Sequence, residues 1–363
     1  MTINALVVDD SALIRKVLSD ILNKDPEIEV IGTALNGKDA LEKVEKLRPD
    51  VVLLDNVMPV LNGLRALARI MKQYPTPVIM VSALGEKAEE ITLTAFEYGA
   101  VDVIPKPEGI LSQSIPEMAE EIRKKVKTAA KANLENLECM RYPEKEKPDR
   151  GERAGKKAED EFFPGSVKNV IAIGTSTGGP RALEKLISAF PADLPAAVLV
   201  VQHMPPGFTA SLSRRLNSKS ALEVREAKEG DVVENGVVLI APGDHHMQII
   251  RKKVKGGEKD LVHLSRTPKE LGSRPSVNVL FRSIAPIYGP KIISLILTGM
   301  HCDGAEGAEE IKKKGGKVIA EARSSCVVYG MPGEIVKRNL ADFVLPLDRM
   351  ASELVNMIKD TSK

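Results

Sequence analysis

At 363 residues and a formal net charge of +2, the chain is too long for one ordinary core and carries no single-sign field. Aromatic residues make up 3% and Trp is absent, which argues against a base-stacking nucleic-acid platform. No apolar run reaches membrane-spanning length, Asp9 and Asp10 fall where a signal peptide would have its apolar core, and Cys139, Cys302 and Cys326 form no metal-spaced pair, so a two-domain cytoplasmic protein is expected.

Residues 1–125 alternate strand and helix. Strands are expected at 4–9, 29–34, 51–55, 78–83 and 101–104, with helices at about 11–24, 37–47, 63–73, 87–98 and 112–132. In the first helix Ile14, Val17, Leu18, Ile21 and Leu22 recur at three- and four-residue steps, one apolar stripe facing a sheet. The apolar strands Ala5-Leu6-Val7-Val8 and Val51-Val52-Leu53-Leu54 imply burial on both faces. This is a doubly wound (βα)5 unit, whose site lies beyond the carboxyl ends of its strands. Asp9 and Asp10 end the first strand there, Asp55 the third and Ser82 the fourth, and Lys106 follows the fifth. Converging carboxylates repel one another unless a hard cation neutralises them, and oxygen ligands suit Mg²⁺. A nearby hydroxyl and ammonium can hold a phosphoryl group. The bland alternative for any one of these residues is a solvated acidic rim.

The text Val8-Asp9-Asp10-Ser11, Leu54-Asp55-Asn56-Val57-Met58-Pro59, Val81-Ser82-Ala83, Gly99-Ala100-Val101-Asp102 and Pro105-Lys106-Pro107 resembles the receiver domain of two-component response regulators. The resemblance implies that Asp55 is the phosphoacceptor. It further implies that Asp9, Asp10, Asp55 and the Asn56 backbone carbonyl hold Mg²⁺, that Ser82 is the switch hydroxyl, and that Lys106 pairs with the phosphoryl group. The place of the usual switch aromatic holds Val103, so the signal is expected to travel through Ser82 and the fourth-helix face.

Residues 126–166 read as a helical extension and a flexible tether. From Glu138 to Glu161 charges of both signs alternate among Pro and Gly, with too little apolar surface to order the segment, while Phe162, Phe163 and Pro164 are candidates to dock on a domain surface.

Residues 167–363 are again α/β, with a mostly parallel sheet. Strands are expected at 169–173, 196–202, 221–225, 237–241, 291–298, 317–321 and 342–345. Helices are expected near 179–189, 207–216, 276–285, 304–314, 333–338 and 348–359, and an antiparallel hairpin at 246–252 and 259–265 across Lys255-Gly256-Gly257. The apolar strand Asn169-Val170-Ile171-Ala172-Ile173 runs into Gly174-Thr175-Ser176-Thr177-Gly178-Gly179, which spells the G-x-S-x-G of a nucleophile elbow. A serine nucleophile needs a base, a carboxylate to fix it and donors for the oxyanion. His203 follows the strand at 196–202 and Asp303 follows the strand at 291–298, so all three residues fall past strand carboxyl ends on one rim. The order Ser, His, Asp differs from that of the α/β-hydrolases. Each residue has a bland alternative: Ser176 could cap the next helix, His203 could be a satisfied loop histidine, and Asp303 could cap the helix opening near Gly304 with Glu306 as its capping-box partner. His245, His246 and His301 invite a metal reading that no tight ligand spacing supports.

These segments, with Val201-Gln202-His203-Met204-Pro205, Ala241-Pro242-Gly243, Arg274-Pro275-Ser276-Val277-Asn278, Leu297-Thr298-Gly299-Met300, Asp303-Gly304-Ala305 and Gly330-Met331-Pro332, resemble the catalytic domain of the chemotaxis protein-glutamate methylesterases, the CheB family. That resemblance covers nearly everything except the linker. It implies Ser176 as nucleophile, His203 as base, Asp303 as orienting acid, Met300 N–H as oxyanion donor and Thr175 as a site-lining residue. It also implies removal of methyl esters from receptor glutamates and deamidation of receptor glutamines, with no cofactor for hydrolysis. A chemotaxis histidine kinase would be the phosphodonor and receptor cytoplasmic helices the substrate, at membrane receptor arrays. Two positions depart from the family pattern. His301 replaces a Gly and would be strained if that place requires positive φ, and Glu321-Ala322 replaces Gln-Asp, a change expected only at the rim of the cleft. A receiver-controlled amidase and a phosphorylation-switched adaptor are the alternative functions.

Overall fold

Aliphatic runs long enough to be buried on both faces build two parallel sheets. The computed structural model describes residues 2–83, 85–106, 115–137, 167, 169–254 and 257–361. The first sheet has the order β2-β1-β3-β4-β5, from β1 (Ile3–Val8), β2 (Ile28–Ala34), β3 (Val51–Asp55), β4 (Val78–Ser82) and β5 (Asp102–Pro105). Side chains alternate between two cores. Ala5, Val7, Val51 and Leu53 pack with α1 (Ala12–Leu22) and α5 (Ile115–Ala129), whereas Leu6, Val8 and Leu54 pack with α2 (Gly37–Leu47), α3 (Gly63–Gln73) and α4 (Glu86–Glu97). Helix α5 runs past residue 125 and is followed by a 3-10 turn at Leu134–Asn136.

The second sheet has seven strands in the order β14-β13-β12-β6-β7-β9-β8, every pairing parallel. They are β6 (Val170–Thr175), β7 (Ala197–Gln202), β8 (Glu223–Glu226), β9 (Val237–Ile240), β12 (Ile292–Ile296), β13 (Lys317–Glu321) and β14 (Phe343–Leu345). The expected hairpin forms a separate two-stranded sheet, β10 (His246–Val254) with β11 (Gly257–Ser265). Helices α6 (Gly179–Ile187), α7 (Phe208–Lys219), α8 (Val277–Tyr288), α9 (Ala305–Lys313), α10 (Met331–Lys337) and α11 (Leu347–Thr361) complete this unit. Strand β12 stops short of the expected 298 because Thr298 turns its backbone to other partners. The expected tether at 138–161, Phe162-Phe163-Pro164, Cys139 and the hairpin-turn residues Lys255-Gly256 lie outside the described residues.

The two units touch along α4, β5 and the segment after α5. Helix α4 packs on α6 and α7, where Ser211 Oγ donates to Glu89 Oε2 at 3.0 Å and Lys219 Nζ to Glu97 Oε1 at 2.9 Å. Thr177 Oγ1 donates to the Asp102 carboxylate, and Gly178 N–H to the Val101 carbonyl at 3.2 Å. Asn136 Nδ2 donates to the Cys326 carbonyl at 2.7 Å, and Asn133 N–H to the Val327 carbonyl at 2.9 Å.

Candidate active site

From β6 the chain winds to β7 on one side, then returns to lay β12 on the other side of β6. That reversal opens a crevice at the strand carboxyl ends, and Ser176, His203 and Asp303 all lie past those ends. Ser176 is 6% exposed, and its N–H donates to the Thr298 carbonyl at 3.1 Å. The turn after it needs glycine twice. Gly178 has φ +80, and a Cβ on Gly179 would lie 2.0 Å from Gln202 Oε1. Helix α6 has no side-chain cap, so Ser176 is not spent on capping it. Among the described residues its hydroxyl has no hydrogen-bond partner.

His203 Nε2 lies 2.8 Å from Asp303 Oδ2. The buried Asp303 side chain does not cap α9, whose N-cap Gly304 has no side-chain bond. It sits instead on the N-terminus of α8, accepting from Ser276 Oγ at 2.9 Å, Val277 N–H at 2.7 Å and Asn278 N–H at 3.0 Å. A helix N-terminus favours an anion. Burial alone would raise the Asp303 carboxyl, but the bond and charge of His203 and the Asn278 and Val277 N–H groups outweigh it, holding the carboxyl below its ordinary range. A carboxylate only accepts, so His203 carries its proton on Nε2 and has Nδ1 left as the basic nitrogen.

On the first sheet Asp9, Asp10 and Asp55 bring carboxylate oxygens within 4.8 Å of one another, the only such group among the described residues. Lys106 Nζ lies 3.0 Å from both Asp9 Oδ2 and Asp55 Oδ2. Three carboxylates thus face one ammonium, an excess of negative charge that a divalent cation on oxygen ligands would balance. Burial pushes the Asp55 carboxyl up, Lys106 opposes this, and the Asp9 charge adds to it. The Asn56 carbonyl already accepts from Gly63 N–H at 2.9 Å, which leaves it one lone pair. Ser82 Oγ accepts from Thr92 Oγ1 of α4 at 2.9 Å.

The family model for the CheB methylesterase matches residues 171–354, and that for the response regulator receiver domain matches residues 5–114. A relative from Methanosarcina acetivorans, named protein-glutamate methylesterase/protein-glutamine glutaminase 2, is 74% identical over 99% of this chain and 100% of its own length. The chain belongs to the CheB methylesterase family. A Pyrococcus abyssi relative named protein-glutamate methylesterase/protein-glutamine glutaminase is 45% identical over 98% of this chain and 94% of its own. The solved Thermotoga maritima CheB methylesterase catalytic domain is 44% identical, covering 52% of this chain and 98% of its own, with a TM-score of 0.50.

Other expected positions of this CheB-family chain fall in varied places. Met300 N–H donates to no protein group among the described residues, and the preceding Gly299 is pressed so close to Ser176 that a Cβ there would lie 2.8 Å from the Ser176 Cβ. Thr175, expected to line the site, is fully buried and donates to the Thr298 carbonyl at 2.9 Å, so its hydroxyl braces the turn. His301 has φ +69, the strained region anticipated for a non-glycine residue there. Burial lowers its imidazole pKa, with the Lys124 and His203 charges adding to that effect. The expectation for Glu321 is overturned. It is fully buried behind the turn, not at the rim, because Thr298 N–H and Ser325 Oγ each donate to it at 2.8 Å. Among the described residues, His245 and His246 gather no metal group. His246 accepts from Ser276 N–H on Nδ1 and meets the Pro268 carbonyl with Nε2, while His245 is held by Arg266 and the Gly243 carbonyl.

Sequence reasoning passed over Gln202, whose Nε2 donates to the Ser176 carbonyl at 2.9 Å, and Ser276, which braces Asp303. A polar residue closing an otherwise apolar strand was the available signal for Gln202.

Proposed function

We propose that this chain is a phosphorylation-gated serine esterase that hydrolyses glutamate methyl esters on chemoreceptor helices and deamidates receptor glutamines by the same route. The observation that carries it is the 2.8 Å bond from His203 to a carboxylate seated on a helix N-terminus, on the rim that holds Ser176. In this reading His203 Nδ1 takes the Ser176 proton as Oγ attacks the ester carbonyl, and Met300 N–H receives the oxyanion. The tetrahedral intermediate collapses, and the proton from His203 leaves with methanol, or with ammonia from glutamine. Water, deprotonated by His203, then attacks the acyl-enzyme and releases Ser176 and the glutamate. Apo catalytic hydrogen bonds often tighten only with substrate, which accommodates the unpartnered Ser176 hydroxyl.

Residues 1–125 would act as the controller and 167–363 as the catalyst, joined by 126–166. Asp9, Asp10 and Asp55, with the Asn56 carbonyl, would hold Mg²⁺, which when bound neutralises an incoming phosphoryl group. Asp55 would accept that group from a chemotaxis histidine kinase, and Lys106 and Ser82 would hold its oxygens. No helix among the described residues is long and apolar enough to cross a membrane, and we place the protein in the cytoplasm against receptor arrays. Contacts from α4, from β5 and from Val101 just before it to Ser211, Thr177 and Gly178 support a resting state in which the receiver covers the Ser176 rim.

The test measures methanol and ammonia release from matched methylated and glutamine-bearing receptor helices. Ser176→Ala is expected to abolish both, and Asp55→Asn to keep the basal rate while losing stimulation by phosphodonor. Full turnover by Ser176→Ala would overturn the assignment of Ser176 as nucleophile, whereas a Ser176→Ala chain that loses turnover yet keeps its function in chemotaxis would favour an adaptor.

A further inference from the structure

Behind the nucleophile turn lies a carboxyl that the reaction scheme does not use. Glu321 ends β13, is fully buried, and accepts from Thr298 N–H through Oε2 and from Ser325 Oγ through Oε1, each at 2.8 Å. Its partner Thr298 is bonded to three successive residues of the turn. The Thr298 carbonyl accepts from Ser176 N–H at 3.1 Å and Thr175 Oγ1 at 2.9 Å, and its hydroxyl lies 3.0 Å from the Thr177 carbonyl. The next residues are Gly299, pressed against Ser176, and Met300, whose N–H is the proposed oxyanion donor.

An acceptor on the Thr298 N–H therefore holds the residue whose carbonyl anchors Ser176 and which stands two places before the oxyanion donor. Burying a carboxyl is costly unless its oxygens are satisfied. Here burial raises its proton affinity while Thr298 N–H and Ser325 pull the other way. We propose that Glu321 is a positioning residue for ester hydrolysis, acting through the Thr298 peptide to hold the Ser176 turn and the Met300 N–H in register. What this role requires is an acceptor at the end of a four-atom reach, not a charge. The inference rests on the assignment of Ser176 as nucleophile.

Reach and charge separate cleanly by substitution. In the full chain, Glu321→Gln keeps the reach and loses the charge, whereas Glu321→Asp keeps the charge and loses the reach. A misplacement of about 1 Å costs about 10²-fold in rate, so Glu321→Asp is expected to lower kcat roughly 10–100-fold with KM within about twofold. Glu321→Gln is expected to stay within about threefold of wild type in kcat. The rate of Ser176 labelling by a fluorophosphonate should follow kcat in both variants, and thermal melts report folding. Wild-type kcat in a folded Glu321→Asp variant, or loss of kcat in a folded Glu321→Gln variant, overturns the proposal. Should Glu321→Asp fail to fold, Glu321→Met, which keeps the length and offers no carbonyl acceptor, takes its place, and wild-type kcat in that folded variant overturns the proposal. Ser176→Ala is run beside them: if it stays active, the nucleophile assignment has failed, whatever Glu321 does.

Discussion

Replacing Asp303 by Asn tests the orienting role most directly, because all four donors on that carboxylate are known. Oδ1 accepts from Ser276 Oγ and Asn278 N–H, and Oδ2 from Val277 N–H and His203 Nε2. An amide cannot serve all of them. With its NH₂ at the Oδ2 place, it confronts Val277 N–H and forces His203 to present a lone pair on Nε2, so Nδ1 carries the proton and cannot act as base. With its NH₂ at the Oδ1 place, it strands Asn278 N–H, and the imidazolium forms without a counter-charge. Either way one buried backbone donor is left unpaired, costing about 1–3 kcal/mol, and the anion on the α8 N-terminus is lost, costing about 0.3–1 kcal/mol. A loss near 2 kcal/mol lowers the melting temperature of a unit this size by about 4–8 °C. The rate falls much further, by about 10⁴-fold, the scale known for Asp-to-Asn replacement of a triad carboxylate. The assay is methanol release from a methylated receptor helix below the melting temperature, paired with thermal melts followed by circular dichroism. A folded Asp303→Asn variant retaining more than about a tenth of wild-type kcat would refute the orienting role.

Two further predictions follow from named contacts. Thr177→Val removes the hydroxyl bonded to Asp102 and keeps the side-chain shape; a bond to a charged group is worth about 1.5–3 kcal/mol, so the basal rate of the unphosphorylated chain should rise at least tenfold, while a 167–363 fragment should be unaffected. An equal change in both would assign the effect to the Ser176 turn instead. The second concerns pH: burial, aided by the Arg274 charge, holds the His246 pKa below its ordinary 6.5, against the opposing Pro268 carbonyl and the Glu270 and Asp303 charges. The unfolded chain therefore binds a proton first as pH falls through that value, so stability is lost from about pH 7 downwards and levels off below the folded pKa. His246→Gln, which can accept from Ser276 N–H and donate to the Pro268 carbonyl, should flatten that part of the melting-temperature profile. An unchanged slope would show that His246 does not set it.

The strands were legible because runs such as Val51–Leu54 and Ala197–Val201 fill both faces of a parallel sheet, and few other environments accept them. Ser176, His203 and Asp303 were legible as strand-end residues because chemistry and topology both favour that edge. What the sequence hid were contacts between distant segments. Nothing local marks Thr298 as the anchor of a turn more than a hundred residues earlier, or Ser276 as the brace of Asp303. The misplacement of Glu321 has the same origin. A charged residue ending a strand reads as rim unless the peptide that will donate to it is known. The bland readings of Ser176 and Asp303 as local caps were separable only by geometry, since Asp303 does meet a helix N-terminus, but that of α8.

The control route can be weighed in the same terms. Val103, in the place of a switch aromatic, is 1% exposed and packs in one cluster with Leu93 and Phe96 of α4, so no ring is present there to rotate. Ser82, the proposed switch hydroxyl, instead touches α4 itself, through the Thr92–Ser82 bond. A phosphoryl group on Asp55 would compete for Ser82. Losing one neutral hydrogen bond is worth about 1 kcal/mol, a shift of about fivefold between covered and open states. Moving such an equilibrium from 1:99 to 99:1 takes about 5.5 kcal/mol, so this bond alone cannot be the whole switch. In the proposed route the remainder would come from α4 shifting as a body, since the same helix carries Glu89 to Ser211 and Glu97 to Lys219, and from the Thr177–Asp102 contact. A displacement that breaks one of these contacts strains the others. In the proposed control route, helix α4 moves as one body, beside the Thr177–Asp102 contact of β5, to carry the effect of a phosphoryl group on Asp55 to the Ser176 rim.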